Sequence, residues 1–230
     1  MKYKTCVSIG EKNPKKIKII LKKSLSKSDF AEIRFDYLKK TDIPIVLEDV
    51  KKSLSRCVCT LRPRSEGGLF IGKEDERKSI LRLIAEYNPF LLDVEFNAIQ
   101  KDKKLASYLK KTKCKLLISW HDFKKTPSDS HLKTKFNKMK KFSDVIKIVT
   151  VAKNVSDASR LLSLYSLKSK NKTIAFCMGE QGKFSRILCL HLGSPFTYVS
   201  LGKAIAPGQF SVDEIKSLSN WFALFSIKNL

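Results

Sequence analysis

Lys147 stands where a lysine is costly. It lies in the run Asp144–Val151, with Val145 and Val149 on its own face and Ile146 and Ile148 beside it. Removing an ammonium from water there is penalised. That lowers the pKa of the amine and makes it a nucleophile near neutral pH, as a Schiff-base lysine must be. Other polar groups sit in or just after similar apolar runs. Glu32 and Arg34 alternate through Phe30–Phe35, and Arg62 follows Arg56–Leu61 and precedes Glu66-Gly67-Gly68. Asp93 and Glu95 alternate in Phe90–Phe96, His121 and Asp122 follow Cys114–Trp120, and Arg186 comes after the turn residues Gly179 and Gly182. A buried amine, a histidine able to move protons and arginines whose planar forks match a carboxylate suit imine chemistry on a carboxylate-bearing carbonyl compound.

Each group also has a plainer reading. Glu32, Asp93 and Glu95, taken singly, are ordinary solvated or salt-bridged carboxylates. His131, in a polar stretch, and His191, near a helix end, read as structural, which leaves His121 as the catalytic histidine. The Gly179–Gly182 stretch lacks the Gly-Lys-Ser/Thr ending of a phosphate loop. The six cysteines form no Cys-x-x-Cys pair and no Cys/His cluster with zinc spacing, so they read as buried free thiols of a reducing compartment. No metal site and no cofactor are expected.

The elements that must position these groups form a regular series. Apolar, β-branched runs recur roughly every 25 to 35 residues, about the length of one βα unit: Tyr3–Ile9, Phe30–Phe35, Arg56–Leu61, Phe90–Phe96, Cys114–Trp120, Asp144–Val151, Thr173–Met178 and Phe196–Leu201. Between them Ile80, Leu81, Leu83, Ile84 and Tyr87 follow helical spacing, as do Leu161, Leu162, Leu164, Tyr165 and Leu167. So do Val212, Ile215, Leu218, Trp221, Phe222 and Phe225 in a last helix reaching Ile227. Pro14 and Pro127 suit a first turn; Asn154 and Ser211 suit an N-cap. Eight strand–helix units predict a (β/α)₈ TIM barrel of the α/β class, with the site at the C-terminal mouths of the strands. An open doubly wound sheet would want a Gly-rich turn after its first strand, and Ser8-Ile9-Gly10-Glu11 is not one.

With 43% hydrophobic residues and no linker or low-complexity block, residues 1–230 read as a single domain. No signal peptide and no bilayer-spanning stretch is evident, so a cytoplasmic protein without membrane association is expected. The formal net charge of +24 comes mostly from lysines scattered along helix faces, such as Lys101, Lys103, Lys104, Lys110 and Lys111. Such lysines read as solvated surface rather than a nucleic-acid footprint.

Several strings together resemble the type I 3-dehydroquinate dehydratases. They are Glu32-Ile33-Arg34-Phe35-Asp36, Thr60-Leu61-Arg62 with Glu66-Gly67-Gly68, Ile118-Ser119-Trp120-His121-Asp122-Phe123, Ile146-Lys147-Ile148, Met178-Gly179 with Ser185-Arg186, and Ala206-Pro207-Gly208-Gln209. They cover nearly the whole chain in the family's order and spacing. The resemblance implies a lyase of the shikimate pathway that dehydrates 3-dehydroquinate. Lys147 would form the Schiff base, His121 would be general acid and base, and Glu66 would orient His121. Arg62 and Arg186 would bind the substrate's carboxylate and hydroxyls, with Ser8, Glu32 and Arg34 as further substrate contacts and Gln209 in a mobile lid. It also implies a homodimer. Where many family members carry a serine four residues before the loop glutamine, this chain has Ile205, so that hydroxyl contact is absent. Two rival readings are a class I aldolase, which needs neither both arginines nor the Glu66–His121 pair, and a basic barrel that binds nucleic acid. The second rests on net charge alone.

Overall fold

The computed structural model describes residues 3–226 apart from 168 and 203, with side chains described as far as residue 219. Strands β1 (Thr5–Ile9), β2 (Phe30–Arg34), β3 (Cys57–Thr60), β4 (Leu91–Glu95), β5 (Leu116–Asp122), β6 (Val145–Val151), β7 (Lys172–Met178) and β8 (Thr197–Val199) each fall within or overlap one of the apolar runs. All pair in parallel, in the order β7-β6-β5-β4-β3-β2-β1-β8. The two end strands meet through side chains, with the Phe176 and Tyr198 ring centroids 6.3 Å apart. The result is a nearly closed (β/α)₈ barrel, as the strand–helix alternation predicts.

The connecting helices are α1 (Pro14–Lys27), α2 (Ile43–Val50), α3 (Glu74–Glu86), α4 (Phe96–Lys101), α5 (Lys103–Lys111), α6 (Asp129–Met139), α7 (Val155–Leu162), α8 (Ser185–His191) and α9 (Val212–Ser226). None of the described helices is long and apolar enough to cross a membrane. Successive strand residues point to opposite faces, which sorts the apolar side chains into two layers. Ile33, Cys59, Val94, Ile118 and Ile148 belong to an outer core with Leu21, Leu47, Leu81 and Leu161 of the helices. Cys6, Val58, Leu91, Leu117, Ile174 and Phe196 form a separate inner core. Further along β1 to β5 the inward positions turn polar, at Ser8, Glu32, Thr60, Asp93 and Ser119, and Lys147 interrupts the inward face of β6, while that of β7 stays apolar.

Local chemistry sets the boundaries. Pro14 occupies the first turn of α1 behind Asn13, whose side chain accepts from Lys15 N. Asn154 caps α7 by accepting from Asp157 N, and Ser211 exchanges two hydrogen bonds with Glu214 at the start of α9. Pro127 lies outside α6, whose N-cap is Ser128. The helical pattern through Leu167 breaks after Leu162 into a 3₁₀ turn over Ser163–Ser166. There Ser163 and Ser166 donate to carbonyls three residues back, which tightens the chain. The side chains of Trp221, Phe222 and Phe225, and residue Ile227, lie outside the described residues.

Candidate active site

The polar end of the barrel opens into a cavity of about 700 Å³, part of it open to solvent. All nine residues singled out in the sequence line it: Ser8, Glu32, Arg34, Arg62, Glu66, His121, Lys147, Arg186 and Gln209. They arrive from β1, β2, the loop after β3, β5, β6, α8 and the loop after β8. His121 lies inside β5 rather than beyond it, because pairing with β6 continues through Asp122 and Thr150.

Lys147 is 6% exposed and is buried as a paired group. Its Nζ donates to Asp93 Oδ2 at 3.3 Å and sits 4.1 Å from the centroid of the Tyr198 ring. Asp93 also accepts from Ser119 Oγ and from Arg62 Nη2. Arg62 Nη1 donates to Glu95 Oε1 and to Ser119 Oγ, each at 2.7 Å. Glu95 accepts in turn from Arg77 of α3, which holds Glu74 at the surface. Burial alone would raise Asp93, but Arg62 and Lys147 outweigh it and hold the carboxyl below its ordinary range. Burial also dominates at Glu95, which is raised despite Arg62 and Arg77. Asp93 and Glu95 are thus fully buried salt-bridged groups, and the solvated alternative for them falls away.

The loop after β3 brings in Glu66. A 3₁₀ turn (Arg64–Glu66) ends at Gly67, whose φ of 74° is left-handed, and Gly68 follows so close that a Cβ would meet the Arg62 carbonyl oxygen at 2.0 Å. Glu66 Oε2 lies 3.1 Å from His121 Nδ1, and Asn97 Nδ2 approaches Oε1 at 3.4 Å. Burial and the charges of Arg62, Lys147 and Arg34 hold His121 well below its ordinary pKa, so the imidazole is neutral. Burial, partly offset by Arg62, raises Glu66 to about 7. An Nδ1–H donated to the Glu66 carboxylate leaves Nε2 with its lone pair, which is the tautomer a base needs. The Phe123 ring stacks beside His121 with centroids 6.0 Å apart.

The remaining cations differ in how free they are. Arg34 donates to both Asp36 oxygens at 2.8 and 2.7 Å. Three of the five Arg62 N–H groups are engaged in the network above. Arg186 is 2% exposed, its guanidinium lies 4.3 Å from the Phe176 ring centroid, and among the described residues it has no carboxylate partner. Its Nη2 donates to the Pro207 carbonyl at 3.1 Å, and its Nε has no partner among the described residues. Burial lowers it to about 10, still cationic at neutral pH. Pro207 belongs to the 200–211 loop, pinned at its base by Ser200 N to Phe210 O and Val212 N to Ser200 O. Within it Gln209 donates to Ser8 Oγ at 3.3 Å and accepts from Ile205 N at 3.1 Å, so Ile205 contributes its backbone. Glu32 accepts from Thr60 Oγ1 at 2.8 Å.

Sequence reasoning passed over Asp93, Ser119, Arg77 and Tyr198 as parts of the site. Asp93 gave a signal, since a carboxylate on the inward parity of an apolar strand requires a cation. Tyr198 gave none, because an aromatic residue in a strand reads as core.

Residues 5–225 match the family model described as Type I 3-dehydroquinase. The 3-dehydroquinate dehydratase of Pyrobaculum aerophilum is 40% identical over 186 residues, which are 79% of this chain and 60% of that protein. That of Methanocaldococcus jannaschii is 33% identical over 217 residues, covering 93% of this chain and 96% of the relative. Among solved structures, the type I 3-dehydroquinate dehydratase of Clostridium difficile, determined with covalently modified comenic acid, superposes with a TM-score of 0.84. The two are 26% identical, and the match covers 96% of this chain and 92% of that one. The 3-keto-L-gulonate-6-phosphate decarboxylase of Vibrio cholerae shares the fold alone, at TM-score 0.57 and 11% identity. With the family match spanning almost every residue and the family's motifs converging on one cavity, the chain belongs to the type I 3-dehydroquinase family.

Proposed function

We propose that this protein is a hydro-lyase that converts 3-dehydroquinate to 3-dehydroshikimate through an imine on Lys147. The observation that carries the reading is one cavity holding a buried amine, a neutral imidazole and a buried guanidinium that no carboxylate among the described residues pairs with. The Lys147 ammonium and the substrate ketone become an iminium and a water molecule, so the nitrogen keeps one positive charge. The iminium withdraws electrons from the neighbouring carbon, and His121 Nε2 takes its proton. The C–H electrons form an enamine. The enamine expels the β-hydroxyl, which leaves as water with the proton returned by His121. Hydrolysis of the conjugated iminium restores the ammonium and frees the product. Glu66 fixes the His121 tautomer. Arg186, which has no anionic partner among the described residues, is the site for the substrate's carboxylate. Arg34 and Arg62, largely engaged elsewhere, offer their remaining N–H groups to hydroxyls, alongside Ser8, Glu32 and Gln209.

That the C. difficile relative was determined with covalently modified comenic acid accords with covalent chemistry. Two variants test it. Lys147→Ala abolishes turnover, and full activity there would sink the imine. His121→Ala still forms the adduct but loses about 10²–10⁴-fold in kcat; loss of the adduct would assign the histidine to imine formation as well.

A further inference from the structure

The surface beneath Lys147 is an aromatic face. Tyr198 on β8 is 4% exposed, lines the cavity, and presents its ring centroid 4.1 Å from Lys147 Nζ. Its orientation is set by neighbouring rings. Phe196 packs edge-on at 5.4 Å, and Phe176 closes the β7–β8 seam at 6.3 Å. Among the described residues the buried Tyr198 hydroxyl has no hydrogen-bond partner, so ring packing holds the residue. What the site uses is the ring.

We propose that Tyr198 is a positioning residue that keeps the imine nitrogen on Lys147 protonated, and therefore cationic, during turnover. The inference rests on the imine reading above and adds a second group, beside the Asp93 carboxylate, that maintains its charge. An imine nitrogen holds its proton less tightly than the amine it came from, because its lone pair occupies an sp² orbital. Once that proton is lost the neutral imine is a weak electron sink, and the adjacent C–H is no longer acidic. A π face in van der Waals range of a desolvated cation favours the protonated form. The size of that preference corresponds to roughly one pH unit in the proton affinity of the nitrogen.

Other charged or titratable groups face the same nitrogen or the Tyr198 ring beside it. Asp93 of β4 is the nearest, with Cys6 of β1, Glu32 of β2, Arg62 after β3 and His121 of β5 around it. A test must therefore vary the ring while leaving all of these in place.

The experiment replaces Tyr198 with phenylalanine as reference, then with 4-fluoro-, 3,5-difluoro- and pentafluorophenylalanine. These side chains keep the shape while the negative potential of the face falls with each fluorine. Two quantities are read: the alkaline limb of the kcat–pH profile, which reports the enzyme–substrate complex, and the mass of the borohydride-trapped adduct. The expected result is that the alkaline limb moves to lower pH with each added fluorine, by about one unit for the pentafluoro ring, while every protein in the series still traps substrate on Lys147. An alkaline limb that stays in place across the series, with the adduct still trapped, would overturn the role of Tyr198 and leave the imine reading standing. Absence of any adduct in the unaltered protein would instead remove the imine reading, and this inference with it.

Discussion

Glu66 reaches a pKa of about 7 because burial outweighs the attraction of Arg62, and this places its protonation where it governs His121. As pH falls through that value the carboxylate gains a proton, loses its charge and becomes a weaker acceptor of the imidazole Nδ1–H. The kcat/KM profile, which reports the free enzyme, should therefore decline on the acid side near pH 7, and Glu66→Gln should lack that limb. A limb unchanged in the variant would assign it to another group. The same shift acts on stability. A carboxyl whose folded pKa lies above its unfolded value binds more protons in the native state between the two, so stability is lost as pH rises from about 4.5 to about 7. The loss is on the order of 3 kcal/mol at most. Glu66→Gln should raise Tm relative to the parent at pH 8 and not at pH 4.5; equal changes at both would contradict the assignment. At this scale the sequence was legible wherever a polar residue interrupted an apolar strand, as at Lys147 and Glu32, or stood at the end of one, as His121 was read. It could not show that Lys147 is paired, because Asp93 and Tyr198 meet it only across the barrel.

The loop after β3 and helix α3 act together as one device for placing charge. Arg77 projects from α3 into the barrel wall, where it holds the Leu61 carbonyl at 3.1 Å and Glu95, while Glu95 and Asp93 hold Arg62. Each carboxylate is buried, and each is tolerable only because a guanidinium meets it. Arg77→Ala removes one partner, so it should cost about 3–5 kcal/mol in urea unfolding; a loss below about 1 kcal/mol would show that Arg62 alone satisfies Glu95. The double-glycine turn is the second constraint. Gly68→Ala puts a methyl on the Arg62 carbonyl, so the loop must shift and carry Glu66 away from His121. Its expected signature is a loss of kcat like that of Glu66→Gln, together with reduced stability. Element order and strand positions were legible because β-branched runs and helical spacing alternate without ambiguity. The break after Leu162 was not, since the apolar spacing continues through it while two serines redirect the backbone locally.

Across the whole molecule the net charge of +24 surrounds a cavity whose least paired cation is Arg186. Such a field draws anions toward the barrel mouth and is screened by salt. For an anionic substrate kcat/KM should fall severalfold between about 20 mM and about 500 mM salt while kcat holds; parallel losses in both would point to unfolding or specific ion binding instead. Barrel closure was legible from the eightfold repeat, whereas the side-chain seam between β7 and β8 was not, because it depends on Phe176 and Tyr198 meeting across the ends of the sheet. The claim that joins these scales is that the amine at the centre of the barrel becomes covalently bound to substrate. Intact-mass measurement and peptide mapping after adding 3-dehydroquinate and sodium borohydride together test it most directly. One stable adduct per chain is expected, confined to the peptide that contains Lys147. A folded protein that forms no adduct, or forms one on a different lysine, would contradict it.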